Sequence, residues 1–239
     1  DEVRIMDLAN YKSDAIVKDE IWAFQNSKPS FAPNSEYVLY TARRNFEEDI
    51  FVYNLKTKKS TNLSNTGVSE DDPTWSPDGK YIYFASDRLN PSYPLGSQQS
   101  NIYRLALDWY DKPYKSTEFE SLFKEDAKND KDKSKTSDSK DSIATPAIDI
   151  SINPDGILDR IERISDRFGF QHSPQVFVNG TKTMVFFNAR QGDDSTYLIR
   201  KIYEDFEKPK TARVFKKNAS NFTQNQKNIY FLSDGSIYK

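Results

Sequence analysis

The chain has 239 residues, with 34 Lys and Arg against 36 Asp and Glu, and its net charge of −2 argues against a nucleic-acid-binding surface. It has no cysteine and one histidine, which excludes disulfides, thiol catalysis and a metal site built from several histidines. Aromatic residues make up 14% of a sequence that is only 36% apolar, so large rings must supply much of the core, and no run approaches the roughly 18 apolar residues of a membrane helix.

The chain begins with two short segments, 2–8 and 14–17, which we interpret as the last two strands of a four-stranded unit. A repeat follows. Residues 29–44 (PSFAPNSEYVLYTARR) and 73–88 (PTWSPDGKYIYFASDR) agree in character along their length, and weaker copies span 175–190 and 220–233. The turn residues of the four copies are separated by 44, 101 and 46 positions, so the middle interval holds one repeat and an insertion of roughly 56 residues. These turn residues are Asn34, Asp78, Asn179 and Asn225.

Each copy predicts the same order of strands. A short first strand carries a large apolar residue, and a turn such as SPDG at 76–79 leads into a second strand rich in β-branched and aromatic residues. A third strand and a short polar fourth strand follow. The large apolar residues are Phe31, Trp75, Val176 and Phe222. The second strands are predicted at 37–41, 81–85, 183–188 and 228–232, the third at 49–55, 101–107, 196–202 and 236–239, and the fourth at 60–64 and 212–216.

Four antiparallel strands per ~45 residues are typical of β-propeller blades. We therefore predict an all-β fold in which residues 1–239 form a single propeller domain or a portion of one, with about four blades. The insertion is placed at 109–150, between the third and fourth strands of one blade. It begins with a predicted helix inside 109–128 and continues into a Lys- and Asp-rich tract at 124–142, which is too polar to offset the entropy of ordering.

The run at 72–88 (DPTWSPDGKYIYFASDR) resembles the repeat shared by TolB, tricorn-like proteases and prolyl-oligopeptidase-type propellers. Three further features occur in one order: the loop DRLNPSY at 87–93 leading into NIYRLAL, the Lys- and Asp-rich insertion, and the return GILDRIERIS at 156–165. That order resembles the second propeller of bacterial tricorn-like proteases. The resemblance implies a propeller that filters peptides or unfolded polypeptide and conducts them to a tail-specific serine peptidase core, which a PDZ domain accompanies. Nothing in this chain matches that core, so the resemblance supplies no catalytic residue, no metal and no cofactor.

Three arginines, Arg44, Arg88 and Arg190, end the second strand of three copies. One interpretation is a cationic rim that receives peptide carboxylates. The other is structural pairing between blades with the acids Glu70, Asp71 and Asp72, whose loop opens at the same edge. The single histidine, His172, is placed in a loop before a first strand, beside a Ser173 that would point away from it in extended backbone. We interpret His172 as structural, because catalysis needs a serine and a carboxylate that converge on it.

Two alternatives stay open at this stage. One is a separate TolB-like propeller that works through protein–protein contact in the periplasm. The other is the propeller of a prolyl-oligopeptidase-like enzyme. A bacterial protein is expected, in the periplasm or the cytoplasm, since the absence of cysteine is compatible with both.

Overall fold

The computed structural model describes residues 1–22, 28–91, 99–110, 148–192, 195–205 and 207–239, and antiparallel β-strands account for nearly all of its regular structure. The strands form five sheets in chain order, each a meander of sequential neighbours. Sheet 1 contains β1 (Glu2–Met6) and β2 (Ser13–Lys18). Sheet 2 contains β3 (Ser30–Phe31), β4 (Tyr37–Arg44), β5 (Glu47–Asn54) and β6 (Lys59–Asn62). Sheet 3 contains β7 (Glu70–Trp75), β8 (Tyr81–Ser86), β9 (Asn101–Ala106) and β10 (Ile161–Arg163). Sheet 4 contains β11 (Phe170–Asn179), β12 (Lys182–Gln191), β13 (Ser195–Tyr203) and β14 (Lys210–Phe215). Sheet 5 contains β15 (Ser220–Asn225), β16 (Asn228–Ser233) and β17 (Ser236–Tyr238). The prediction of an all-β fold built from four-stranded antiparallel units is confirmed.

The last strand of sheet 3 returns from a distant part of the sequence, because β10 pairs with β9 through Ile161 opposite Leu105. A short 3₁₀ turn, Ile157–Arg160, precedes it. Arg160 is buried and its guanidinium donates hydrogen bonds to the backbone carbonyls of Ala106 (2.9 Å) and Asp155 (2.7 Å), so it fastens the returning chain to the end of β9. The predicted helix and the Lys- and Asp-rich tract fall on 111–147, outside the described residues. The assignment of 1–239 to one domain stays a prediction.

In the described part of the chain, the buried apolar residues form four clusters, each lying between two successive sheets. Alternation along the strands produces this arrangement, since neighbouring side chains point to opposite faces of a sheet. In β8, Phe84 packs into the cluster shared with sheet 2, and Tyr83 packs into the cluster shared with sheet 4. In β12, Val185 faces sheet 3 and Phe186 faces sheet 5. Sheets 2, 3 and 4 are therefore covered on both faces.

Equivalent residues of the repeat do not all have equivalent surroundings. Trp75, at the end of β7, is 7% exposed and packs between sheets 2 and 3, as predicted for a first-strand anchor. Phe31, its counterpart in β3, is 54% exposed, and Ala32 beside it is the buried residue. Phe31 faces sheet 1, for which the described residues supply two strands, β1 and β2, whereas Trp75 faces the four strands of sheet 2.

Gly79 closes the turn between β7 and β8 and is required there for two reasons. Its φ of +72° lies in the left-handed region, and a Cβ at this position would lie 2.7 Å from Cγ1 of Ile150. Ile150 belongs to the core cluster between sheets 2 and 3. The glycine therefore lets the returning chain pack directly against the turn. Within the described ranges, no helix is long and apolar enough to cross a bilayer.

Candidate functional site

The three predicted arginines share one edge of sheets 2, 3 and 4. In sheets 3 and 4 the second strand ends where the first and third strands start, and in sheet 2 it ends where the third strand starts, because the strands are antiparallel. Arg44 and Arg190 lie in the last residues of β4 and β12, and Arg88 follows the end of β8. We call these ends, with the neighbouring starts of the first and third strands, the arginine edge.

Arg44 is held by an ion pair with the preceding sheet. Its Nη1 and Nη2 lie 2.8 Å and 3.0 Å from the two carboxylate oxygens of Asp19, which follows β2. Its guanidinium also lies 4.6 Å from the ring centroid of Phe51. Hydrogen bonding with Asp19 raises the pKa of Arg44. The bidentate contact therefore links sheet 1 to sheet 2.

Arg88 pairs with a buried carboxylate of its own sheet. Its Nη2 lies 2.9 Å from Oε1 of Glu70, a residue with no exposed surface, and Thr66 Oγ1 donates to the same oxygen at 2.6 Å. Within the described residues, Oε2 of Glu70 has no hydrogen-bond partner. Burial raises the pKa of Glu70 to about 7, although the hydrogen bonds from Thr66 and Arg88 act in the opposite direction. Glu70 is therefore a carboxyl group that titrates near neutral pH.

Arg190 is exposed and forms no ion pair within the described part of the chain. Its guanidinium lies 5.5 Å from the ring centroid of Phe170, its cross-strand partner in β11. An arginine stacked on an aromatic ring keeps its donors directed to solvent. Among the three predicted arginines, Arg190 is the one whose charge is available to a ligand.

The structural pairing predicted for these arginines is correct in part. Arg88 does bind Glu70, but the pair lies within one sheet. Arg44 does bridge two sheets, but its partner is Asp19. The role of Arg44, Arg88 and Arg190 as a peptide-binding rim stays a prediction.

Three exposed apolar side chains that the repeat pattern did not predict accompany the arginines. Phe46 is 62% exposed, Leu89 is 40% exposed and Phe168 is 76% exposed. Phe46 lies in the turn after Arg44, Leu89 follows Arg88, and Phe168 is two residues before the ring on which Arg190 stacks. For Phe46 and Leu89 the signal was present in the sequence, because a large apolar residue just after the end of a second strand lies outside the alternating pattern that builds the core.

His172 lies inside a strand, which corrects its predicted placement in a loop. β11 begins at Phe170, and a bulge between His172 and Gln175 interrupts its pairing with β12. Ser173 adopts a φ of +53° at this bulge. The left-handed backbone turns the hydroxyl back, so that Ser173 Oγ lies 3.0 Å from Nδ1 of His172 instead of pointing away.

The same serine connects sheets 3 and 4. Ser173 Oγ donates to Oδ2 of Asp72 at 3.0 Å, and the Ser173 backbone N–H donates to the same oxygen at 3.2 Å. Asp72 has a φ of +51° in the matching bulge of β7. Burial lowers the pKa of His172, the charge of Arg190 lowers it further, and Asp72 opposes both.

This cluster does not have the order of a catalytic triad. In a triad the carboxylate orients the histidine and the histidine accepts the serine proton. Here the serine hydroxyl donates its one hydrogen bond to Asp72. Ser173 Oγ can therefore only accept a hydrogen bond from His172, which places the donor at Nδ1. The arrangement supplies hydrogen-bond partners to the polar groups of Asp72, His172 and Ser173, where sheets 3 and 4 meet. No group of three or more acidic or histidine side chains in the described ranges is arranged to hold a metal ion.

Comparison with known proteins shows the fold. No family model and no curated protein sequence matches the chain. Among solved structures, it is similar to TolB from Acinetobacter baumannii, with a TM-score of 0.53 and 15% identity over 98% of this chain and 46% of TolB. It is also similar to the tricorn protease, with a TM-score of 0.58 and 15% identity over 99% of this chain and 23% of that protein. The chain thus spans about half of the first and a quarter of the second. The predicted β-propeller fold is confirmed, and the five sheets are complete or partial blades.

Proposed function

We propose that this chain is a non-catalytic propeller portion of a tricorn-like serine protease, whose arginine edge contacts peptide substrates and conducts them to a catalytic core outside the chain. The observation that carries the proposal is the alternation of cations and exposed apolar side chains along this edge, at Arg88 with Leu89 and at Arg190 with Phe168. Unfolded polypeptide offers the complementary groups, namely carboxylates and large apolar side chains.

The ion pairs at this edge favour weak, reversible contact. Arg44 and Arg88 already bind Asp19 and Glu70, so a peptide carboxylate must compete with carboxylates of the protein. Arg190 has no such competitor among the described residues and supplies the stronger contact. A surface that passes substrates onward has to release them, which this distribution of paired and unpaired cations permits.

The similarity in fold to the tricorn protease supports the proposal. The similarity in fold to TolB is equally compatible with the alternative of a protein-binding propeller. The residues encoded after Lys239 distinguish the candidates. A PDZ domain with a tail-specific peptidase core supports the proposal. A stop codon supports the TolB-like alternative, and a Gly-x-Ser-x-Gly motif supports a prolyl-oligopeptidase-like enzyme.

Removing the apolar and cationic contacts at Phe168 and Arg190 is expected to weaken peptide binding. Fluorescence anisotropy with labelled peptides that carry phenylalanine and glutamate should show an affinity loss of about tenfold for the Phe168→Ser, Arg190→Gln double variant. Leu8→Ser and Lys59→Gln are matched controls, because both residues are exposed and lie away from the arginine edge. Unchanged affinity in the double variant, or an equal loss in the controls, contradicts a peptide-binding role for this edge.

The isolated chain is expected to hydrolyse no peptide, because its only imidazole is committed to the joint of His172, Ser173 and Asp72. The measurement is turnover of a mixed fluorogenic peptide panel by highly purified chain and by its His172→Ala variant. Activity that co-purifies with the chain and disappears in the variant would overturn the non-catalytic proposal. Activity that the substitution leaves unchanged identifies a contaminating protease.

A further inference from the structure

The ion pair between Arg88 and Glu70 leaves polar atoms unused on both side chains. Nη2 of Arg88 lies 2.9 Å from Oε1 of Glu70, but Nε of Arg88 and Oε2 of Glu70 are buried and have no hydrogen-bond partner within the described residues. The Arg88 side chain is 23% exposed, whereas the Glu70 side chain is fully buried. Solvent therefore reaches the guanidinium but not the carboxylate that pairs with it.

A second carboxylate suits the unused donors of Arg88. A guanidinium carries five N–H donors in one plane, and a buried N–H without an acceptor is costly. The guanidinium carbon lies 5.2 Å from the ring centroid of Tyr103, which holds the group in place. The charge of Glu70 opposes the binding of a second carboxylate, because like charges at one site repel each other. The ionisation of Glu70 therefore decides how strongly Arg88 attracts a ligand.

The surroundings of Glu70 favour its neutral form. Oε1 accepts hydrogen bonds from Arg88 and from Thr66 Oγ1, while Oε2 is buried and unpartnered in the described part of the chain. A buried charge that is only partly hydrogen-bonded is costly, and burial accordingly raises the pKa of Glu70 to about 7. About nine-tenths of Glu70 is then protonated at pH 6 and about one-tenth at pH 8. Protonated Glu70 still accepts at Oε1 but no longer repels an incoming carboxylate.

Other charged side chains lie near this ion pair in sheets 2 and 3. In the described residues they are Arg43 of β4, Glu48 and Asp49 of β5, Asp71 of β7, Asp87 after β8 and Arg163 of β10. Asp49 is linked to Glu70 by Ser64, whose hydroxyl donates to Asp49 and also approaches the Glu70 carboxyl group. Burial and the charge of Glu48 raise the pKa of Asp71, so Asp71 is the acid whose titration has to be separated from that of Glu70.

We propose that Arg88 is a binding site for peptide carboxylates whose affinity rises when Glu70 takes up a proton, so that the arginine edge holds acidic peptides more tightly at pH 6 than at pH 8. The inference rests on the proposed function and adds the regulation of the same surface. Because the two equilibria are linked, a bound carboxylate also raises the affinity of Glu70 for its proton. Release of the peptide is then coupled to the loss of that proton.

The first test compares peptide affinity at pH 6 and pH 8 by fluorescence anisotropy, with the whole 239-residue chain and labelled peptides that carry phenylalanine and glutamate. The wild type is expected to bind about tenfold more tightly at pH 6, in proportion to the protonated fraction of Glu70. Glu70→Gln is expected to bind at both pH values as the wild type does at pH 6, because glutamine carries no charge. Asp71→Asn is the control and should keep the wild-type ratio. Equal wild-type affinities at the two pH values overturn the proposal, as does a ratio that disappears in Asp71→Asn and persists in Glu70→Gln.

Substitutions of the arginines separate the effect of Glu70 from peptide binding in general. Arg88→Gln is expected to weaken binding at pH 6 and to remove the dependence on pH. Arg190→Gln is expected to weaken binding at both pH values and to leave their ratio unchanged. If affinity does not depend on pH but falls in the Phe168→Ser, Arg190→Gln double variant, the regulation by Glu70 fails while the proposed function stands.

A second measurement does not depend on peptide binding. The ¹³C signal of the Glu70 carboxyl group reports its titration, and acetate is the probe for the site. Relative to chloride at the same ionic strength, acetate is expected to raise the midpoint of this titration in the wild type but not in Arg88→Gln. An unchanged midpoint in the wild type overturns the proposal. A raised midpoint in a chain that binds none of the peptides supports the carboxylate site and contradicts the proposed function.

Discussion

Replacing Trp75 by alanine is expected to lower the free energy of unfolding by about 3–5 kcal/mol. Trp75 is 7% exposed and packs in the cluster between sheets 2 and 3, so its removal leaves a cavity bounded by two sheets. The measurement is denaturant-induced unfolding followed by circular dichroism, since the substitution removes a fluorophore. Trp75→Phe should cost far less than the alanine variant, because an aromatic ring still fills most of the space and, in the part of the chain that the structure describes, the indole Nε1 has no hydrogen-bond partner to lose.

Trp109→Ala is the matched control. Trp109 is 63% exposed, and its ring lies 5.0 Å from the guanidinium carbon of Arg160. A cation–π contact contributes about 0.5–1 kcal/mol at an exposed site and about 2 kcal/mol when it is desolvated, so the expected loss is below that of Trp75→Ala even though Arg160 is buried. Equal shifts in the denaturation midpoint for the two alanine variants would mean that the position of Trp75 in the repeat is wrongly assigned.

The stability contributed by Glu70 is expected to fall as the pH rises from about 5 to 8. Burial raises the pKa of Glu70 from 4.5 to about 7, so the folded state binds a proton that the unfolded state releases in this interval. The contribution is fully present below pH 4.5 and is lost as the pH rises through 7. One pKa unit corresponds to about 1.4 kcal/mol, so the loss is ~3 kcal/mol. Burial and the charge of Glu48 also raise the pKa of Asp71, which changes stability in the same direction.

Glu70→Gln isolates the contribution of this carboxyl group. Glutamine keeps the shape and does not ionise, so the stability of the variant relative to the wild type should increase by ~3 kcal/mol between pH 5 and pH 8. His172 has a lowered pKa and acts in the opposite sense at lower pH, but it is present in both proteins and cancels in the difference. A difference in unfolding free energy that is independent of pH would show that Glu70 is ionised in the folded protein throughout this range.

The strands could be predicted from the sequence, because alternate side chains of each strand face opposite sides of the sheet and the same apolar residues therefore form both the strand pattern and the core. In β4, β8 and β12, each central residue faces one neighbouring sheet or the other, so burial on both faces appears as an uninterrupted run of apolar and aromatic residues. The predicted second strand at 81–85 differs from β8 by a single residue. Periodicity could not show that Phe31 is exposed while Trp75 is buried, since this difference depends on which residues of the preceding sheet lie against each of them.

The candidate site was predicted less completely, because its geometry depends on local backbone exceptions. Ser173 meets His172 and Asp72 only because the bulge places its φ at +53°, and nothing in the sequence around residue 173 requires a left-handed residue there. The partner of Arg44 could not be predicted either. Asp19 follows the last strand of the preceding sheet, and which residues of two sheets come into contact depends on how the sheets pack. The composition and order of the repeat predicted the shared edge, but they did not predict which arginine is left without a carboxylate.

The division of the core into four clusters has a consequence for how the molecule responds to change. A side chain between sheets 2 and 3 shares no cluster with one between sheets 4 and 5, so energetic coupling is confined to adjacent sheets. Stability is then close to a sum of nearest-neighbour terms, and damage at Trp75 and at Phe231 should be additive. Substitutions at distant sheets can then be accepted independently of one another, because the packing at each interface constrains only the residues of the two sheets that form it.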